Sequence, residues 1–143
     1  MFIGEYNHNL DVKGRLAVPA KFRDKLKEGA VVTRGLDNCL FLYTKDEWAK
    51  SAQKLANLPT SQSKARAYAR LMLAGAMDVD CDAQGRINLP EYLRKFASLE
   101  KKVIVAGLFD RLEIWDEAKW EEYKTVAEAE SVEIAETLGE LGV

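Results

Sequence analysis

Asp11-Val12-Lys13-Gly14-Arg15-Leu16-Ala17-Val18-Pro19 returns 71 positions later as Asp82-Ala83-Gln84-Gly85-Arg86-Ile87-Asn88-Leu89-Pro90. Both stretches read Asp-x-x-Gly-Arg, then an alternating apolar run, then Pro. The Asp-x-x-Gly half is turn chemistry: an aspartate carboxylate accepts bonds from backbone amides a few residues on, and glycine takes positive φ without steric penalty. Arg15-Leu16-Ala17-Val18 resumes the period-two pattern of a strand. Pro19 and Pro90 suit the first turn of a helix, where their missing N–H had no partner anyway. A unit of turn, strand and helix that occurs twice predicts a fold assembled from two copies of one motif.

The flanks repeat as well. Phe2 to Asn9 reads as a strand, which with Arg15 to Val18 predicts a hairpin with Lys13 and Arg15 at its tip. Ala20 to Leu26 carries Phe22 and Leu26 four residues apart, a short amphipathic helix. Ala30 to Thr33 and Cys39 to Tyr43 are apolar runs around Arg34-Gly35-Leu36-Asp37-Asn38, a second hairpin. Thr44, with Glu47 three residues on, caps a helix that fades near Pro59. In the second copy, Ala76 to Asp80 is a strand, Val103 to Leu108 corresponds to Val31 to Leu36, Leu112 to Trp115 to Leu40 to Tyr43, and Trp120 to Trp48. Thr60 to Ala74 reads as a connecting helix capped by Thr60 or Ser61, with Tyr68, Leu71 and Met72 as its apolar stripe and Lys64, Arg66 and Arg70 elsewhere. Glu121 to Leu138 is an acidic helix with a narrow apolar seam of Trp120, Tyr123, Ala127 and Ile134. The expected organisation is therefore a first repeat at 1–60, a connecting helix at 61–75, a second repeat at 76–120, and an acidic C-terminal helix at 121–143 packed on the domain or on a neighbouring subunit.

A chain of 143 residues fits one domain or two small intertwined halves. With 48% apolar and 31% charged residues it has the make-up of a folded domain. No apolar run approaches the roughly 18 to 20 residues of a membrane span, and Met1-Phe2-Ile3-Gly4-Glu5 lacks a signal-peptide pattern, so the expectation is a soluble, cytoplasmic protein. Cys39 and Cys81 are isolated in strand-like runs and are expected as reduced, buried thiols. The net charge of -2 hides a partition: residues 1–108 hold 18 Lys and Arg against 12 Asp and Glu, and residues 109–143 hold 3 against 11. The near-neutral average is thus compatible with a basic working face and an acidic tail segment, and it neither excludes nor demands a polyanionic partner. One histidine, His8, and two distant cysteines make no metal-ligand spacing. Nucleophile elbows, phosphate-cradling glycine loops and HExxH helices are absent. Neither a cofactor, a small-molecule substrate nor an enzymatic activity is expected. Trp48, Trp115 and Trp120 read as core.

Two readings of the turns stand side by side on residue chemistry alone. In the first, Asp11 and Asp82 bond the backbone and pair with Arg15 and Arg86, which is turn stabilisation and nothing more. In the second, Asp11, Gly14, Asp82 and Gly85 shape the turn while the basic residues at its tip enter a DNA major groove, where arginine can make two hydrogen bonds to guanine. Lys21, Arg23, Arg94 and Lys95 would then contact phosphates and set register. The second loop has Gln84 where the first has Lys13, so the first is the more basic.

The paired Asp-x-x-x-Arg elements, the opening Met1-Phe2-Ile3-Gly4-Glu5-Tyr6, the run Gly14 to Arg23 and the run Arg34 to Leu40 together resemble the MraZ family, over nearly the whole chain and in both copies. The resemblance implies an α+β fold: a tandem-repeat, swapped-hairpin β-barrel of the AbrB-like, double-split β-α-β kind, with flanking helices. It also implies a sequence-specific DNA-binding transcriptional regulator, expected as a repressor, of the bacterial division and cell wall gene cluster. Such a protein would bind double-stranded DNA at promoter repeats as a ring-shaped homo-oligomer in the cytoplasm, at the nucleoid, with Arg15 and Arg86 as the DNA-contacting residues. The rival expectation is a protein-interaction scaffold of the same fold with no direct DNA readout.

Overall fold

The computed structural model describes all 143 residues. The strands are β1 (Phe2–Asn9), β2 (Arg15–Ala17), β3 (Ala30–Arg34), β4 (Leu40–Thr44), β5 (Met77–Val79), β6 (Arg86–Asn88), β7 (Lys102–Phe109) and β8 (Leu112–Asp116). The helices are α1 (Ala20–Leu26), α2 (Lys45–Ala56), α3 (Ser63–Ala69), α4 (Glu91–Phe96), α5 (Glu117–Ala129) and α6 (Ser131–Thr137). It is a mixed α+β architecture, and its strands are antiparallel throughout.

Six strands form one sheet in the order β1-β7-β8-β4-β3-β5, while β2 and β6 form a separate ribbon. Under the repeat, β1 corresponds to β5, β7 to β3 and β8 to β4, so the order reads the same from either edge. The register makes this quantitative. Phe41 faces Glu113 at the centre of the sheet, and Leu16 faces Ile87 at the centre of the ribbon. Each is a pair of residues equivalent under the repeat, so one pseudo-twofold axis passes through both pairs.

Two expectations change here. The hairpin expected of β1 and β2 is closed by a single bridge, Leu10 to Leu16. Beyond it the strands part: β1 runs along β7 and β2 along β6, both from the other repeat. Nor do the strands close into the expected barrel, because the six-stranded sheet ends in free edges at β1 and β5. Short β2 and β6, three residues each, leave as a ribbon instead of bridging those edges.

Strand alternation distributes the apolar residues onto both faces of the sheet. On one face, Leu40, Leu42, Val103, Val105, Leu112 and Ile114 meet Leu16, Val18, Phe22 and Leu26 of the first repeat and their counterparts Ile87, Leu89, Leu93 and Ala97 of the second. On the other, Phe41, Tyr43, Ile104, Ala106 and Trp115 lie beneath Trp48 and Leu55 of α2 and Trp120 of α5. Burial on both faces explains why β4 and β7 read as near-continuous apolar runs. Of the polar residues buried in the sheet, Glu113 of β8 accepts bonds from Arg111 Nη2 at 3.0 Å and Trp115 Nε1 at 3.1 Å. Cys39 is buried as expected, Cys81 is half-buried, and both thiols are unpaired.

The connecting segment differs in detail from the sequence reading. Helix α3 starts at Ser63 with no side-chain cap, and Arg70–Ala74 continues it as a π-helical turn. Of the expected stripe only Met72 is buried; Tyr68 and Leu71 are exposed. The wide turn frees carbonyls for the sheet: Thr33 Oγ1 donates to Met72 O at 2.7 Å and Arg34 Nη1 to Leu71 O at 2.9 Å. Helix α2 is capped as expected, Thr44 Oγ1 accepting from the Glu47 amide. The acidic C-terminal stretch is two helices, broken at Glu130. Helix α5 docks through Trp120 and Tyr123 on Trp115 and through Trp120 and Lys124 on Glu5, whereas α6 is exposed along its whole length.

Candidate nucleic-acid interface

Each Asp-x-x-Gly-Arg turn is organised by its own carboxylate. Asp11 Oδ1 accepts from the amides of Lys13 at 2.9 Å and Arg15 at 2.8 Å, and Oδ2 accepts from Arg15 Nε at 2.7 Å. Asp82 repeats the pattern with Gln84 at 2.9 Å, Arg86 at 2.9 Å and Arg86 Nε at 3.0 Å. Gly14 and Gly85 close the turns at φ 82° and 77°, a region closed to most side chains. The Arg15 amide bond, joined by the Arg15 side chain and the Lys13 amide, holds Asp11 below the usual carboxylate range against a smaller opposing effect of burial. Asp82 is lowered in the same way by the Arg86 and Gln84 amides and the Arg86 side chain. Both arginines are gripped at Nε alone. Their Nη amines make no hydrogen bond within the chain.

The ribbon aims these two side chains. Leu16 and Ile87 face the core, each 1% exposed. By alternation Arg15, Ala17, Arg86 and Asn88 all stand on the opposite, solvent face, and Arg15 pairs with Asn88 while Arg86 pairs with Ala17. Arg15 and Arg86 thus share one surface across the pseudo-twofold axis. A two-stranded ribbon is narrow enough to enter the major groove of B-form DNA.

The two loops are cross-braced. The amide of Val18 donates to Gly85 O at 2.9 Å, and that of Leu89 to Gly14 O at 2.8 Å. Arg23 Nε donates to Val18 O and Arg94 Nε to Leu89 O, both at 2.9 Å. The Arg94 guanidinium then lies against Gly14, where a Cβ would meet Nε at 2.7 Å, and the Arg23 guanidinium lies against Gly85 in the same manner. Each α-helix arginine therefore supports the loop of the other repeat. Only the swapped pairing brings these residues together, and nothing in the local sequence signals it.

The other expected contacts are scattered. Lys13 is exposed at the first loop tip, beside a fully exposed Val12. Lys21 Nζ sits about 6 Å from the ring centres of Tyr6 and Phe22, and Lys95 pairs with Glu91 at 3.2 Å on its own helix. Asn88 is the residue on the arginine face that the sequence reading does not single out. The available signal was its place in the alternation, two residues beyond Arg86.

The sequence pattern of the family described as "MraZ protein, putative antitoxin-like" matches this chain twice, at residues 1–71 and 72–140. The chain belongs to the MraZ family. The two matches coincide with the pseudo-symmetry of sheet and ribbon. Curated relatives share its full length: it is 48% identical over 143 residues to a protein of Alkaliphilus oremlandii, with all of both chains covered. It is 48% identical over 141 residues to one of Desulforamulus reducens, covering 99% of each, and 46% identical over 143 residues to one of Halothermothrix orenii, again covering both completely. Each of these MraZ relatives is named a transcriptional regulator.

Proposed function

We propose that this protein is a transcriptional regulator that binds double-stranded DNA sequence-specifically through the exposed face of the β2–β6 ribbon, and that it is not an enzyme. The observation that carries this reading is the presentation of Arg15 and Arg86 on one face, each fixed at Nε by its own aspartate with both Nη amines unclaimed. Guanidinium groups pre-oriented in this way offer two donors to guanine O6 and N7 at little further cost in side-chain entropy. Lys13 at the tip of the first loop, and Lys21, Arg23 and Arg94 on the flanking helices, are read as phosphate contacts.

The family resemblance extends the proposal. Its target is the promoter region of the division and cell wall gene cluster, where it acts as a repressor in the cytoplasm, at the nucleoid. It works as a ring-shaped homo-oligomer that spreads several ribbons over repeated short boxes, so that modest contacts combine through effective concentration. The strand exchange between β1, β2 and their partners is read as the swapped-hairpin arrangement, with repeats at 1–60 and 76–120, a connecting helix at 61–75 and an appended acidic segment at 121–143.

A gel-shift titration on the DNA upstream of the protein's own gene tests the function. The wild-type chain is expected to shift that fragment in preference to scrambled DNA, with affinity falling steeply as salt rises from 50 to about 200 mM, as counterion release requires. Equal affinity for both DNAs, or none for either, would overturn the reading.

A further inference from the structure

We propose that Asn88 is a base-reading residue that works as a unit with Arg15, and that it makes the recognised DNA element directional. This rests on the DNA-binding reading above. Asn88 is exposed, and its side chain has no hydrogen-bond partner in the chain. Asparagine is depleted from strands, where it packs poorly and competes for backbone bonds. Its place in the three-residue strand β6 therefore asks for a reason outside the fold.

The register supplies one. Ladder bonds fall at the 14/89 and 18/85 pairs, which makes Arg15 and Asn88 a non-hydrogen-bonded pair, the kind whose side chains stand closest. Their Cβ atoms are about 5 Å apart, a spacing that reaches neighbouring base pairs. Arginine favours guanine O6 and N7, and asparagine favours adenine N6 and N7. Arg15 with Asn88 therefore forms a guanine–adenine reading unit. At the symmetry-related place Arg86 stands beside Ala17, whose methyl suits only an apolar contact such as the thymine methyl. The backbone is pseudo-symmetric, but the chemistry on its face is not. A symmetric reader would select a palindrome, and this one selects a directional box.

Affinity selection from a randomised duplex library tests this with the wild-type protein and two variants, Asn88→Ala at an exposed position and Ala17→Asn at a half-buried one on the same face of the ribbon, the fold of each checked by its melting temperature. The wild type is expected to enrich a non-palindromic box with adenine beside guanine. Asn88→Ala is expected to keep the guanine and lose its adenine preference about tenfold. Ala17→Asn is expected to gain an adenine preference beside the second guanine and drive the box toward a palindrome. Identical boxes and base frequencies from wild type and Asn88→Ala would overturn the proposal while leaving DNA binding intact. Enrichment of no sequence by the wild type would instead overturn the DNA-binding reading and this inference with it.

Discussion

At the scale of single residues, Asp11 and Asp82 do the shaping and Arg15 and Arg86 are shaped. Because both carboxylates are held below their ordinary range in the folded protein, they stabilise the loops at any pH above the unfolded value of about 3.9. That contribution is lost as pH falls through the depressed folded values. Carbon-detected NMR titration is expected to place both midpoints below that of an aspartate in a model peptide, and Asp11→Asn should remove the effect in the first loop only. Gly14→Ala meets two obstacles: a left-handed backbone at φ 82° and the crowding of its Cβ by Arg94 Nε and by Leu89 O at 2.9 Å. A loss of about 2 kcal/mol by denaturant unfolding is expected. Adding Arg94→Ala should cost less than the sum of the single changes, since one obstacle goes with the side chain. Strict additivity would mean that Arg94 does not brace that loop.

At the scale of elements, the ribbon is the part on which the site depends. Ile87 is 1% exposed beneath it, so Ile87→Ala is expected to cost about 3 kcal/mol and to weaken DNA binding beyond the loss of folded protein, because Leu16 loses its facing partner. Most elements were legible in the sequence: the turn chemistry at Asp11-x-x-Gly14, the Thr44 cap, and apolar runs buried on both faces. Strand pairing was not. A turn followed by an alternating strand has the same local pattern whether the strand folds back on its neighbour or crosses to a partner 71 residues away, so the residues alone predicted a hairpin, and only the family resemblance pointed to an exchange of strands between the repeats. The connecting helix misled for a related reason. Periodicity places Tyr68, Leu71 and Met72 on one α-helical face, but the π-helical turn at Arg70–Ala74 rotates that face and leaves Met72 alone in the core.

At the scale of the whole molecule, two copies of one sequence motif build one pseudo-symmetric body with a single arginine-bearing face. The offset of the repeat made the duplication visible in the sequence, and the axis through Leu16/Ile87 and Phe41/Glu113 relates the two loops to each other. Open edges at β1 and β5 came as a correction to the closed barrel. In the proposed function the arginines read bases and do more than attract the DNA backbone, and Arg15→Lys/Arg86→Lys separates the two roles, since lysine keeps the charge and gives up the planar, two-donor geometry. The measurement is the ratio of affinities for the upstream fragment and for scrambled DNA, taken by fluorescence anisotropy at one salt concentration. The ratio is expected to fall at least tenfold in the double variant while scrambled-DNA affinity and melting temperature hold. An unchanged ratio would mean that Arg15 and Arg86 act only as charges on the DNA backbone.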